Sequence, residues 1–173
     1  MTERSQQRAL VQRLTADLGV AVADSLVTHL LEATGKSDAD AHFLILLDEL
    51  HELSEKAARS AVEALPELGR RAGLSQALLW LDLGIALAET SGASALKYFK
   101  DSPLVLGLIE QSEIRTEVLT IGLDLAEQDA NVALEYIRYA PQILSVIPSH
   151  QLRPWLDLGM ELTNSNVVVG LEF

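Results

Sequence analysis

The most regular part of the chain is a helix-type pattern of apolar residues that occurs three times. In the first copy Trp80, Leu83 and Leu87 are separated by three and four positions, which places them on one face of a helix. The pentapeptide that begins at Trp80 returns letter for letter at 155–159, and a degenerate copy lies at 118–122. The pattern therefore predicts amphipathic helices that share one packing scheme.

The copies belong to a longer internal repeat. The shift that aligns Gly84 with Gly122 also aligns Tyr98 with Tyr136 without a gap, and the last copy follows at nearly the same interval. Self-similarity at such a period is typical of stacked helical repeats. The sequence predicts an all-α fold, a right-handed α-solenoid with HEAT- or armadillo-like units of roughly 37–38 residues. The residues expected to form its repeated core are Trp80, Leu83, Gly84, Leu87, Leu96, Tyr98, Leu119, Gly122, Leu125, Leu134, Tyr136, Trp155, Leu158, Gly159 and Leu162.

Glycine and proline suggest how each unit is divided. Gly84 stands in mid-helix, where glycine costs about 1 kcal/mol relative to alanine, so we expect another helix backbone to pass close by. Gly92 is expected to end the first helix, and a second helix follows over 93–101. Ser102 and the proline after it resemble the start of a short third piece, 103–109, set at an angle.

The repeat predicts a single domain with five consecutive parts. An N-terminal helical pair is followed by three repeats and a truncated or capping unit, over 1–37, 38–73, 74–111, 112–148 and 149–173. End units are expected to be atypical because one of their faces meets water.

The last unit stops inside its second helix and contains apolar residues that need cover. These are Val167, Val168, Val169 and Leu171. Two explanations stay open: the chain is a piece of a longer parent, which we favour, or a partner covers this end.

Composition narrows the functional classes. The net charge of −12 gives a surface that repels nucleic acid and anionic lipid. The chain has no cysteine, which excludes disulfides, thiolate metal sites and a cysteine nucleophile. No secretory signal and no 18-residue apolar run are found, so we expect a cytoplasmic protein that neither spans nor binds a membrane.

The negative charge is concentrated in two blocks, 38–67 and 110–135. The first has eight acids against two basic residues and the second has seven against one, so each is −6. In a stack of repeats the blocks would merge into one acidic face, with candidate residues Asp48, Glu49, Glu52, Glu55, Glu110, Glu113, Glu117, Asp124 and Glu127. This face either provides solubility or docks a basic protein segment.

Candidate catalytic and phosphate-binding patterns are incomplete. Asp48 and His51 have the i, i+3 spacing of di-iron bundles, but the second motif that such sites need is absent. Together with Glu52, these two residues are the ones that an enzyme using carboxylate chemistry would need. The Gly-Lys-Ser sequence at 35–37 lacks the earlier glycine of a phosphate-binding loop and is better explained as a helix stop followed by a helix cap. The sequence predicts no catalytic residue, no metal and no cofactor.

The repeated unit also resembles a known group of helical repeats. The residues that carry the resemblance are Trp80, Gly84, Tyr98, Phe99 and Pro103. They are similar to the helical region that precedes a von Willebrand type A domain in large bacterial proteins working with AAA+ partners. The resemblance implies a bacterial protein-binding adaptor, although this chain has no von Willebrand domain, and it implies no catalytic residue.

These observations favour a non-enzymatic scaffold that binds another protein, or itself, through an acidic face. The alternative is a helical protein that binds a small molecule or lipid in an apolar groove between Val20–Ala33 and the neighbouring units.

Overall fold

The structure is a computed structural model, and it describes residues 37–73, 75–148 and 150–157 together with Ala16, the side chains of 37–41 excepted. These residues form helices and no strand, which confirms the all-α prediction. Six helices are bounded as follows: α1 Ser37–Leu53, α2 Glu55–Arg71, α3 Ala77–Thr90, α4 Gly92–Leu106, α5 Ser112–Ala126 and α6 Ala130–Leu144. A further helical segment covers 150–157.

Several predictions fall outside the described residues: the N-terminal pair before Ser37, the groove at Val20–Ala33, the core residues Leu158, Gly159 and Leu162, and the apolar residues of 167–171.

The six helices are arranged as three consecutive hairpins in two layers. Each hairpin pairs an odd-numbered helix with the even-numbered helix that follows it. In addition α3 packs against both α1 and α5, and α4 packs against both α2 and α6. We call α1, α3 and α5 the odd layer, and α2, α4 and α6 the even layer.

The even-layer helices begin at three capping residues that the sequence repeat relates. Ser54 accepts a hydrogen bond from Ala57 N, and Ser91 accepts one from Ser94 N. Asp129 accepts from the backbone N–H groups of residues 131 and 132. A side-chain oxygen at this position satisfies helix N–H groups that have no partner inside the helix. The three caps occupy the same position of the sequence repeat, so each even-layer helix starts in the same register.

Two expectations about the unit were wrong. Gly92 does not end a helix: Ser91 separates α3 from α4, and Gly92 is the first residue of α4. Pro103 does not begin a third piece, because α4 runs through it to Leu106. Proline lacks one N–H donor, but in the last turn this removes only one hydrogen bond from the helix. Each hairpin therefore contains two helices.

The centre of the α3–α4 hairpin is an aromatic cluster. Trp80, Tyr98 and Phe99 are all buried, and the ring centroid of Trp80 lies 4.8 Å from that of Phe99 in an edge-to-face arrangement. Trp80 Nε1 donates to Ser102 Oγ at 2.7 Å, and the Tyr98 hydroxyl donates to the Trp80 carbonyl at 3.0 Å. The polar atoms of the cluster are thus satisfied inside one hairpin.

Gly84 makes room for this cluster. A Cβ atom at Gly84 would lie 2.7 Å from Phe99 Cε1 and closer still to Cζ. The expected close neighbour was a helix backbone, and this was wrong: the neighbour is an aromatic ring.

Within the described residues, no helix is long and apolar enough to cross a bilayer.

Candidate functional site

Charge differs sharply between the two layers. Among the described side chains, which begin at His42, the odd layer has three acids on α1, two on α3 and three on α5. Its one basic residue is Arg115, so its net charge is −7. The even layer has three acids and four Lys or Arg residues on α2, one acid and two lysines on α4, and one acid and one arginine on α6. Its helices therefore have a net charge of +2, so the net negative charge of the described helices comes from the odd layer.

One acidic position recurs at the C-terminal end of all three odd-layer helices. Glu52, Glu89 and Glu127 are related by the same shifts as the rest of the repeat, and all three are exposed. Glu52 and Glu89 lie in the last turns of α1 and α3, and Glu127 is the C-cap of α5. We call these three residues the acidic row.

The acidic row stands at the unfavourable end of each helix. The carbonyl groups at a helix C-terminus carry partial negative charge, so an acid there typically costs about 0.3–1 kcal/mol at the surface. The three helices pack side by side, α1 on α3 and α3 on α5, so the three costs occur along one side of the layer. A cationic group bound along the row would relieve them.

The nine acids predicted to form one face are divided among several places. Asp48, Glu49 and Glu52 lie on α1; Glu113, Glu117 and Asp124 lie on α5; Glu55 begins α2, Glu110 precedes α5 and Glu127 caps it. The helix α3 lies between α1 and α5. The two groups of acids therefore meet only through Asp82 and Glu89 of α3, which the prediction omitted.

Glu55 and Glu117, two of the acids predicted for this face, are each paired with an arginine. Glu55 accepts a hydrogen bond from Arg59, one turn later on α2. Glu117 is ion-paired with Arg153 of the segment 150–157, and its other carboxylate oxygen, Oε2, is buried without a hydrogen-bond partner. Because these two carboxylates are already paired with arginines, they attract an external basic segment less strongly.

Asp82 links two odd-layer helices electrostatically. Partial burial raises the pKa of the Asp82 carboxyl group, and the nearby His42 of α1 acts in the opposite direction. Burial raises a carboxyl pKa because it disfavours the charged form. This carboxylate is therefore less accessible to an external cation than the exposed acidic row.

The residues considered for carboxylate chemistry do not form a metal site. His51 is half-buried and its Nε2 atom has no hydrogen-bond partner, whereas Glu52 is exposed on the same helix. Across the described part of the chain, no group of three or more His, Asp or Glu side chains could hold a metal ion.

A small cleft lies between α4 and α6. Its lining includes Tyr98, Ser102 and Val105 on α4, with Leu134 and Ile137 on α6. The cavity volume is about 10 Å³, which accommodates roughly one water molecule. This cleft cannot hold a lipid or a drug-sized ligand.

The predicted core residues differ in burial. Trp80, Leu83, Gly84, Leu87, Tyr98, Leu119, Gly122 and Leu125 are buried, whereas Leu96, Leu134, Tyr136 and Trp155 are half-buried. Tyr136 as a whole is half-buried, but its hydroxyl group is fully buried and has no hydrogen-bond partner. Burial raises the pKa of Tyr136, and the negative charge of Glu117 adds to the rise.

Sequence reasoning named Glu52 and Glu127 but missed Glu89 and the row that the three residues form, because charge was counted along the chain and not by helix. The signal was present: the same shifts that align the glycine of one unit with that of the next align Glu52, Glu89 and Glu127.

Comparison with known proteins gives no relative for this chain. No protein-family model, no curated protein and no solved structure matches it.

Proposed function

We propose that this chain is a non-enzymatic scaffold of stacked two-helix units that binds a basic protein segment along its odd layer. The observation that carries the proposal is the separation of charge, −7 on the odd layer against +2 on the even layer. An acidic surface confined to one layer attracts and orients a Lys- or Arg-rich partner, which a uniformly acidic surface would not do.

The arrangement of the helices supports the repeat part of the proposal. Each helix contacts its hairpin partner and the nearest helices of its own layer. Nearest-neighbour packing of this kind is the pattern of α-solenoids. The in-register caps Ser54, Ser91 and Asp129 support a unit with the period of the sequence repeat. A right-handed HEAT- or armadillo-like superhelix is the form we infer for the array.

A protein partner fits the surface better than a nucleic acid does. Phosphate backbones need Lys and Arg contacts, and the odd-layer helices contain Arg115 alone, whose Nη1 atom donates to the Ile109 carbonyl. The adaptor role implied by the resemblance to bacterial AAA+-associated proteins would fit a basic protein partner. Bacterial origin and a cytoplasmic location are part of the same proposal.

The test is binding of a lysine-rich peptide to two variants with equal net charge. The row variant carries Glu52→Gln, Glu89→Gln and Glu127→Gln. The control variant carries Glu63→Gln, Asp101→Asn and Glu135→Gln, which replace exposed acids of the even layer. Both variants remove three negative charges from the net −12 of the chain.

We expect the row variant to bind the peptide about tenfold more weakly than the control variant, because three surface ion pairs contribute roughly 0.2–1 kcal/mol each. The affinity of the unmodified protein should fall as salt is added. Equal weakening of the two variants would show that only net charge matters and would overturn the proposal. Isothermal titration calorimetry gives the three dissociation constants.

A further inference from the structure

The two carboxylate oxygens of Glu117 have different surroundings. The Oε1 atom is ion-paired with Nη1 of Arg153, in the helical segment 150–157. The Oε2 atom is buried and has no hydrogen-bond partner among the described residues. The side chain of Glu117 is 22% exposed, whereas that of Arg153 is 66% exposed. The arginine therefore meets a mostly buried acid from the solvent side.

The hydroxyl group of Tyr136 is a second buried polar atom at this place. Within the part of the chain that the structure describes, it makes no hydrogen bond. Burial raises the pKa of Tyr136, and the nearby negative charge of Glu117 raises it further. Buried polar atoms are almost always hydrogen-bonded, because leaving one unpaired is costly. Two unpaired atoms that act on each other electrostatically therefore indicate a site that a ligand completes.

The matching site of the α3–α4 hairpin has neither feature. The shift that relates the two hairpins places Tyr136 on Tyr98, whose hydroxyl group donates to the Trp80 carbonyl. The same shift places Glu117 on Leu79, a partly buried residue that packs against the core. The α5–α6 hairpin thus has a carboxylate where the earlier hairpin has a leucine, next to a tyrosine that has kept its hydroxyl group. Packing of the hairpin requires neither polar group.

Arg153 has a second acidic partner, which lowers the cost of leaving Glu117. Its Nε atom donates to Oδ1 of Asp157, one turn later in the same segment, at 3.1 Å. Both side chains of this second pair are more than half exposed, so a guanidinium that turns toward Asp157 regains water. Leu152 and Leu156 are buried and hold the segment itself in place. The arginine side chain can therefore move while its helix stays.

A primary ammonium group matches the two unpaired oxygens. It has three N–H donors on one atom, so a single ammonium can donate to Glu117 Oε2 and to the Tyr136 hydroxyl oxygen while balancing the carboxylate charge. A guanidinium has its donors in a rigid planar fork, and that of Arg153 pairs with Oε1 alone. In a basic protein segment, the residue with a primary ammonium is lysine.

We propose that Glu117 and Tyr136 form a lysine-binding site in the α5–α6 hairpin, and that Arg153 blocks this site until a basic partner displaces it. The site deepens the proposed function: it rests on the binding of a basic segment but not on the acidic row. It names lysine as the residue that is recognised and an arginine of the same chain as its competitor. When lysine enters, Arg153 stays paired with Asp157.

The first test removes the competitor and measures the affinity for the lysine-rich peptide by isothermal titration calorimetry. Arg59→Gln is the matched control for Arg153→Gln, because Arg59 is also exposed and ion-paired but lies on α2. Both substitutions remove one positive charge from the net −12 of the chain. We expect Arg153→Gln to bind the peptide about fivefold more tightly than Arg59→Gln, which is the effect of one ion pair.

The second test removes the two site residues in the Arg153→Gln background. Glu117→Gln should abolish the gain in affinity. Tyr136→Phe should weaken binding of the lysine-rich peptide about threefold, the effect of one hydrogen bond, and should leave binding of an arginine-rich peptide of equal length unchanged. Tyr98→Phe is the control, because it removes the hydroxyl group at the matching position of the earlier hairpin. Circular dichroism checks that each variant keeps its helical content.

Equal affinities of Arg153→Gln and Arg59→Gln for the lysine-rich peptide would overturn the proposal. So would a Tyr136→Phe variant that binds this peptide as tightly as its parent. The acidic row can fail separately: its variant and control would then bind equally, while Arg153→Gln still gains affinity. If the row variant loses affinity and Arg153→Gln gains none, the lysine site alone is wrong. Absence of binding by every variant would overturn both proposals.

Discussion

The α3–α4 and α5–α6 hairpins occupy equivalent places in the repeat but fill their centres differently. Three matching positions are taken by Trp80, Tyr98 and Phe99 in the first hairpin and by Val118, Tyr136 and Ile137 in the second. The first hairpin is centred on a closed aromatic cluster, whereas two of the three positions are aliphatic in the second. Trp80 and Phe99, whose rings touch, are both replaced in the second hairpin, whereas the tyrosine is retained.

The clearest paired change removes a hydrogen bond from both sides. Trp80 donates to Ser102 in the first hairpin, and the matching residues of the second are Val118 and Ala140. Loss of one partner alone would leave a buried donor or acceptor unsatisfied, at a cost of about 1–3 kcal/mol, whereas loss of both is close to neutral. The second hairpin has lost both.

A second paired change involves the helix glycines and the residues that face them. Gly84 faces the ring of Phe99, and Gly122 faces the smaller Ile137. In the hairpin of α1 and α2 the matching residues are Leu47 and Val62, both buried. A larger residue on the odd helix thus accompanies a smaller one on the even helix.

The largest effect is expected from Trp80→Val, which gives the first hairpin the residue of the second. The side chain is fully buried, so its truncation leaves a cavity and should lower the free energy of unfolding by about 3–5 kcal/mol. Urea denaturation measures the change. Trp80→Phe, with the residue that stands at the matching position 43, is the milder comparison and should cost less. A loss below about 1 kcal/mol for Trp80→Val would show that the cluster is not the centre of the hairpin.

The next effect separates the two helix glycines. Gly84→Ala should destabilise the protein by about 1–3 kcal/mol, because the new methyl group meets a ring that Trp80 and Tyr98 hold in place. The new methyl group of Gly122→Ala meets the aliphatic side chains of Ile137 and Leu83, whose terminal methyl groups lie nearest at 2.8 and 3.0 Å. These side-chain ends can move, and alanine favours the helix by about 1 kcal/mol, so little net change is expected. Thermal unfolding of the two variants, compared directly, checks this difference.

Alkaline pH should destabilise the folded chain through its buried tyrosines. Burial raises the pKa of Tyr98 and of Tyr136 above the ordinary value near 10. A raised tyrosine pKa leaves stability intact below about pH 10 and lowers it as the pH rises further, by about 1 kcal/mol per tyrosine between pH 10 and 11. Urea denaturation at several pH values measures the slope, and the double variant Tyr98→Phe, Tyr136→Phe should flatten it. An unchanged slope in that variant would contradict the assignment.

The smallest effect compares the two tyrosines at neutral pH. Tyr98→Phe removes a hydrogen bond to the Trp80 carbonyl and should cost about 1 kcal/mol. Tyr136→Phe removes a buried hydroxyl group that has no partner, and should leave the free energy of unfolding unchanged or raise it by up to about 1 kcal/mol. Equal losses of unfolding free energy in the two variants would show that the hydroxyl group contributes equally to stability in both hairpins, which would contradict this prediction.

The sequence predicts the all-α fold and the positions that face inward, because helical spacing and the repeat of Trp80 and Gly84 depend only on local pattern. It misassigned the ends of helices where one residue type has two structural uses. Gly92 can stop a helix or begin one, and Pro103 can begin a helix or stand in its last turn. The caps Ser91 and Asp129 would have resolved the first ambiguity, since both recur at the repeat interval.

The site was less predictable than the fold. Charges counted along the chain mix the two layers, because α1 and α2 are consecutive in sequence but belong to different layers. The acid Glu55 was therefore grouped with Glu52, although it lies on α2 and pairs with Arg59. The neighbour of Gly84 was equally hidden, because a helix-interior glycine indicates a close contact without specifying which atoms make it.

The most direct test of the account is a double-mutant cycle between Gly84 and Phe99, because its central claim is that residues in contact within each hairpin change as a pair. The free energy of unfolding is measured for the unmodified chain, Gly84→Ala, Phe99→Val and the double variant. The account predicts that Gly84→Ala is destabilising beside Phe99 but neutral or stabilising beside valine, with a coupling energy of about 1–3 kcal/mol. Additive effects of the two substitutions would contradict it.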